Sequence, residues 1–238
     1  MTTRSNEEGG SLVDRAIQAV RDHIRDHDLK VGDKLPGEGT FATDLGVSRA
    51  VMREAFGALA ALGLIDVANG RRAKVGAIDG SVLGASLDHA VSTEQISVAE
   101  VWDVRRTVEV RIAMLAAERR SEAQAQQIMA LAQAMAGAVD DLDCITANDI
   151  AFHESIAQAA DNKLFVQIVH SFAPLLRMAV PQAWRTRTAE EQRQTMLDRH
   201  LDLAKAIANG DPEAAGAAME AHFDASIGQQ LHARGGAM

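Results

Sequence analysis

The residues Gly46-Val47-Ser48 constrain the fold more than any others in the chain. They separate two short segments, each long enough for a helix and neither able to bury its apolar side alone. Glu38 to Leu45 reads as a short helix stopped by Gly46. Ser48 is a good N-cap for a second helix from Arg49 to about Leu62, which Gly63 ends. Upstream, residues 11–28 read as a helix with Leu12, Ala16, Ala19, Val20 and Ile24 on one stripe, after which "VGDKLP" breaks the chain. Downstream, "LIDV", "ANG" and "RRAKV" read as strand, turn and strand, a small hairpin with Asn69-Gly70 at its tip. Three helices, the last two joined by a tight glycine turn, and then a hairpin make the pattern of a helix-turn-helix with a wing.

The helix after Ser48 poses a question of charge. Val51, Ala55, Leu59 and Leu62 are expected to pack inward, yet Arg49 and Arg53 stand four residues apart on the opposite face, at the N-terminal end. That end of a helix is already electropositive, so it is a poor place for two cations unless an anion lies before them. On the second helix of a helix-turn-helix, exposed arginines in the first turns enter the major groove, where they bond guanine bidentately or clamp phosphate. Arg71, Arg72 and Lys74 on the wing would reach phosphates or the minor groove. Spacing alone equally admits two solvated arginines on an amphipathic helix. The net charge of −9 argues against nucleic acid only until it is divided along the chain. Residues 1–75 hold 11 Lys+Arg and 11 Asp+Glu, and the whole acidic excess, 22 against 13, lies in residues 76–238.

Residues 76–96 lose clear periodicity and read as a linker, with one short helix near 81–89. From residue 97 onward the pattern is helical. "SVAE" at 97–100 and "SEAQ" at 121–124 are capping boxes, opening helices to about Arg120 and Val139. Further helices are expected from Leu142 to Ala160, from Lys163 to Met178 with a kink at Pro174, from "TAEE" at 188–191 to Ala208, and from Asp211-Pro212 to Leu231. Aromatic residues make up 3% of the chain and tyrosine is absent, which favours helix over sheet. The expected fold is mainly α, in three parts: a winged helix-turn-helix at 1–75, a linker at 76–96, and a bundle of six or seven helices at 97–238. A single cysteine, Cys144, a polar N-terminus, and no apolar run near the roughly 18 residues of a membrane span fit a cytoplasmic protein with no membrane partner.

The segment from Leu35 to Val75, "LPGEGTFATDLGVSRAVMREAFGALAALGLIDVANGRRAKV", resembles the winged helix-turn-helix of GntR-type bacterial transcription regulators. The resemblance implies Arg49 and Arg53 as recognition-helix contacts and Gly70 as the wing tip. It departs at Gly39, where the family often carries a DNA-contacting arginine, and in the wing, "GRRAKV".

A second constellation lies in the bundle. "NDIAFHESIAQAADN" puts Asp149 and His153 on one helix face, and His200 and His222 follow on two later helices. One carboxylate and three imidazoles converging inside a bundle would suit a divalent metal such as zinc. The same residues could instead be ordinary polar surface groups. "EVWDVRRTVEVRIAMLAAER", the Asp149 segment, "RHLDLAKAIANGD" and "MEAHFD" resemble the helical effector-binding domain of the FadR-type subgroup of GntR regulators. That resemblance implies Asp149, His153, His200 and His222 as metal ligands, and Arg105 as the cation facing a carboxylate effector. Glu109, four residues on, is placed to orient Arg105; Arg106, Arg111 and Arg177 are weaker candidates.

The expected protein is therefore not an enzyme but a ligand-responsive regulator, in the main a repressor. It would bind a palindromic operator in double-stranded DNA as a homodimer and respond to a small hydroxy acid or sugar acid at a metal. The alternatives are a regulator of larger acyl-type ligands without metal, and a metal-dependent hydrolase fused to a DNA-binding domain. The hydrolase lacks a placed general base, since Glu154 points off the ligand face.

Overall fold

The computed structural model describes residues 11–68, 71–187 and 189–225. The chain divides into two compact units, residues 1–82 and 83–238. In the first, helix α1 (Leu12–Asp26) opens with a capping box between Ser11 and Asp14 and buries Ala16 and Val20. Helix α2 (Glu38–Leu45) ends on Gly46, whose φ of +66° closes the turn in the left-handed region open to glycine. Helix α3 (Arg49–Ala61) starts at Ser48, whose hydroxyl accepts the Val51 N–H at 3.3 Å. Strands β1 (Ile65–Asp66) and β2 (Lys74–Val75) pair antiparallel, Ile65 opposite Val75. Gly76 follows so closely on Gly63 that a Cβ there would stand 2.2 Å from the Gly63 carbonyl oxygen.

The core of this unit joins Val20, Leu35, Phe41, Met52, Phe56, Leu59 and Ile65. Among the residues expected to face inward, Leu12 and Leu62 lie on the surface. Leu62 is 51% exposed and Leu12 is 52% exposed, because each sits at a helix end, past the area its neighbours cover. Met52 and Phe56 fill the α3 core instead. The hairpin tip, Asn69 and Gly70, lies outside the described residues.

The second unit begins within α4 (Ser81–Ser92) in the stretch read as linker. Helices α5 (Val98–Arg119) and α6 (Glu122–Ala136) both open with the expected capping boxes. Helix α7 (Leu142–Ala159) carries the Asp149 segment. The helix expected from Lys163 to Met178 is two helices, α8 (Lys163–Ser171) and α9 (Ala173–Thr186), bent by 52°. The break precedes Pro174 because proline is accommodated in a first turn, and α9 then runs eight residues further than expected, through Pro181. Helix α10 (Glu190–Ala208) follows, its expected cap Thr188 lying outside the described residues. Helix α11 (Pro212–Ala225) is capped by Asp211, which accepts the Ala214 N–H at 3.0 Å; its expected extension to Leu231 is likewise outside them.

Helices α5, α6, α7, α10 and α11 close around Ile112, Ile128, Phe152, Leu203, Ile207, Met219 and Phe223. A smaller cluster of Val101, Ile150, Phe172, Ala173 and Leu176 packs against Leu87 and Val91 of α4. Among the described residues, no single helix is long and apolar enough to cross a membrane.

Candidate functional site

Two sites emerge, one in each unit. In the first, the Ser48 cap fixes where α3 begins and therefore where its first turns point. Arg49 and Arg53 both lie on the surface, Arg53 77% exposed. Arg53 Nε is 3.8 Å from Glu38 Oε2, a loose, solvated pair that leaves the guanidinium available. The Arg49 guanidinium lies over Gly39, 3.5 Å from where a Cβ would stand. A Cβ at position 39 would therefore stand in ordinary van der Waals contact with the Arg49 guanidinium. Arg71, Arg72 and Lys74 are exposed, Lys74 on β2 opposite Asp66. Gly70, expected at the wing tip, falls outside the described residues.

In the second unit the polar residues expected to be either ligands or surface groups are buried. Asp149 and His153 come from α7, His200 from α10 and His222 from α11, and the three histidines are 2–3% exposed. Each histidine offers a nitrogen within 4.8 Å of the others, with ring centroids 4.5 Å apart for His200 and His222. Asp149 stands beside this trio, its Oδ1 3.1 Å from His200 Nε2.

The hydrogen bonds sharpen what the cluster can do. His200 Nδ1 is 2.8 Å from the Met196 carbonyl, which can only accept, so Nδ1 carries a proton. Nε2 of the neutral ring then turns a lone pair toward the Asp149 carboxylate, an arrangement that needs a cation, either a proton or a metal. Two ligands at zinc distances in a tetrahedron stand about 3.3 Å apart, close to the separation found. His222 Nδ1 is buried with no hydrogen-bond partner among the described residues. Burial, and then His200 and His153, push the His222 pKa well below its ordinary value and keep the ring neutral and able to donate a lone pair. Burial works to raise the Asp149 carboxyl, but a proton shared with His200 Nε2, and then the charge that the surrounding imidazoles carry when protonated, outweigh it and hold the carboxyl well below the usual carboxylate range.

Arg105, on α5, is 2% exposed. Its Nε donates to Glu109 Oε1 at 2.7 Å, and its guanidinium lies 4.6 Å from the centre of the Trp102 ring. The other Glu109 oxygen stands 2.5 Å from His153 Nδ1, without the alignment of a hydrogen bond. Burial opposes ionisation of Glu109, yet Arg105 and His153 hold its pKa down to about 2. Glu109 thus links the arginine to the histidine cluster.

These side chains, Glu109 apart, line one cavity of about 30 Å³. Trp102, Arg105, Asp149, His153, His200 and His222 supply its polar wall. Arg187, at the end of α9, also lines it and was not singled out from the sequence. The segment containing it was expected to lie outside any helix, so no periodicity pointed at the cavity. Arg106 instead pairs with Asp224 on the surface at 2.7 Å, and Arg111 and Arg177 are exposed. Glu154 is bonded to His170, 2.8 Å away on α8.

A winged helix-turn-helix with exposed arginines, followed by a separate helical unit built around a polar cavity, is the architecture of a DNA-binding regulator. Residues 12–75 match the bacterial regulatory proteins of the gntR family, and residues 100–225 match the FCD domain. The chain belongs to the GntR family of transcriptional regulators, in its FCD-containing, FadR-type branch, and is not an enzyme. It is 29% identical over 202 residues to the HTH-type transcriptional regulator LutR of Bacillus subtilis (strain 168), spanning 84% of this chain and 92% of that one. It is 26% identical over 230 residues to the HTH-type transcriptional repressor NanR of Salmonella newport (strain SL254), spanning 94% and 86%. A solved structure, Streptococcus agalactiae GntR, superposes with a TM-score of 0.63 at 25% identity, over 92% of this chain and 99% of that one.

Proposed function

We propose that the protein is a cytoplasmic, ligand-responsive repressor that binds a palindromic operator as a homodimer. A small hydroxy acid or sugar acid, bound in the helical unit, would release or reset it. In this reading Asp149, His153, His200 and His222 hold a divalent metal, zinc by preference, and Arg105 faces the carboxylate of the effector. On DNA, Arg49 and Arg53 read the major groove while Arg71, Arg72 and Lys74, with the wing tip at Gly70, hold the backbone.

The observation that carries the metal is the buried quartet itself. An unpartnered imidazole nitrogen and a lone pair facing a carboxylate are expensive to bury, and a divalent cation satisfies both. The ion would supply a Lewis-acidic point charge for a carboxylate and an adjacent hydroxyl. The chain's own groups do the rest. Glu109 fixes the Arg105 fork, Trp102 holds its plane, and the burial of Arg105 and Glu109 excludes competing water. A larger acyl-type ligand without metal leaves the quartet unexplained. Effector binding would act by favouring one population of DNA-binding geometries over another.

Thermal unfolding against hydroxy acids, sugar acids and dicarboxylates tests the reading, with protein as purified, chelated, and reloaded with zinc. An acid at about 100 times its Kd should stabilise by about 2.7 kcal/mol. The shift should disappear with chelator and return with zinc. No shift with any acid, and no response to chelator, would overturn the metal–carboxylate site.

A further inference from the structure

The two cations lining the cavity are in different electrostatic states. Arg105 is already neutralised, since Glu109 lies 2.7 Å from its Nε and both side chains are buried. Arg187 has no carboxylate within ion-pair distance among the described residues. Its guanidinium donates to the Ala225 carbonyl at 3.3 Å, and a neutral oxygen leaves the charge uncompensated. The carboxylate whose field reaches Arg187 is that of Asp149. A divalent metal held by Asp149 would draw that negative charge to itself. Arg187 would then be a half-buried cation facing a cavity with no anion of the protein left to serve it.

We infer that Arg187 reads a second anionic group of the effector, so that the cavity selects small dicarboxylic hydroxy acids over monocarboxylic ones. This deepens the proposed function and rests on its metal–carboxylate reading. The first carboxylate and its hydroxyl belong to the metal end, near Arg105. The second carboxylate belongs to Arg187, whose planar fork matches it bidentately. The charge balance agrees. Arg105 with Glu109, and Arg187 with Asp149, sum to zero while the histidines are neutral. A divalent ion therefore leaves the cavity with two positive charges, the complement of a dianion.

The test compares malate with 2-hydroxybutanoate, which differ only in a terminal carboxylate against a methyl group. Calorimetric titrations use zinc-loaded full-length wild type, Arg187→Gln and Arg187→Lys, with zinc content measured on each sample. Wild type should bind malate at least tenfold more tightly than 2-hydroxybutanoate. Arg187→Gln should erase that preference while leaving the affinity for 2-hydroxybutanoate and the zinc content unchanged, and Arg187→Lys should restore part of it. Equal affinities in the wild type, or an equal loss for both acids in Arg187→Gln, would overturn the role of Arg187 while the metal–carboxylate site stands. If neither acid binds zinc-loaded wild type, or if zinc is not retained, the site and the role of Arg187 fall together.

Discussion

Replacing Glu109 by Gln is the most informative single perturbation of the helical unit. The side chain keeps its shape and can still accept the Arg105 Nε–H, but it no longer carries charge. Arg105 then becomes a buried cation with no counter-ion. Breaking a buried pair from one side costs about 3–5 kcal/mol. An independent route gives a similar figure. Arg105 and His153, acting against burial, depress the Glu109 pKa from 4.5 to about 2, which corresponds to about 3 kcal/mol. The folded carboxyl titrates below the unfolded one, so this stabilisation is complete above pH 4.5 and is lost as pH falls through about 2. The gap between wild type and Glu109→Gln should therefore be about 3 kcal/mol at pH 7 and shrink to roughly half of that at pH 3. Both tryptophans, Trp102 and Trp184, lie in the helical unit, so urea unfolding of chelated protein followed by their fluorescence reads that unit alone. Because Glu109 also stands against His153, zinc affinity should fall by about 10–100-fold. A variant within about 0.5 kcal/mol of wild type at pH 7, or a gap that does not narrow toward pH 3, would refute the idea that Glu109 is the counter-ion joining Arg105 to the histidines.

Arg49→Ala and Arg53→Ala should each weaken operator binding by about 1–3 kcal/mol if the arginine contacts a base, measured by fluorescence anisotropy at fixed salt; unchanged affinity in both would remove the recognition-helix assignment. His200→Ala should lower zinc affinity by at least about 100-fold in a competition titration, whereas His170→Ala, which touches only Glu154 of the possible ligands, should leave it unchanged. Gly76→Ala should destabilise the first unit by about 1–3 kcal/mol, because its Cβ would fall on the Gly63 carbonyl; a neutral effect on thermal unfolding would mean that the hairpin can shift at no cost.

The sequence made the framework readable because its signals are local. Ser48, Gly46, the two capping boxes and Asp211-Pro212 each act within one turn of the backbone, so their effects survive whatever packs around them. The periodic stripe was less reliable at helix ends, where Leu12 and Leu62 satisfy the period but lie beyond the area their neighbours cover. The α8–α9 bend was misplaced for a similar reason. Pro174 marked a disturbance, but only the tertiary course of the chain decides whether a proline kinks a helix or begins one. Asp149 and His153 are visible in the sequence as a pair at helical spacing, while their burial, which separates a site from ordinary solvated side chains, depends on helices about 50 and 70 residues away. Arg187 left no local signal at all. It enters the cavity only because α9 runs past Pro181 to its end there.

The burial of Arg105, Glu109, Asp149, His153, His200 and His222 in one bundle has a thermodynamic consequence. Hydrophobic replacements of similar volume are often as stable as buried ion pairs or more so, so folding alone gives no reason to keep this cluster. The cluster makes the stability of the helical unit depend on what enters the cavity, since any cation or anion that satisfies these groups binds the folded state and not the unfolded one. The same linkage that would make the metal and effector measurable by unfolding is what would let them bias the conformations of a regulator. The helices that carry the proposed ligands, α7, α10 and α11, also form its core with α5, so a ligand that draws those side chains together would act directly on the packing of the core.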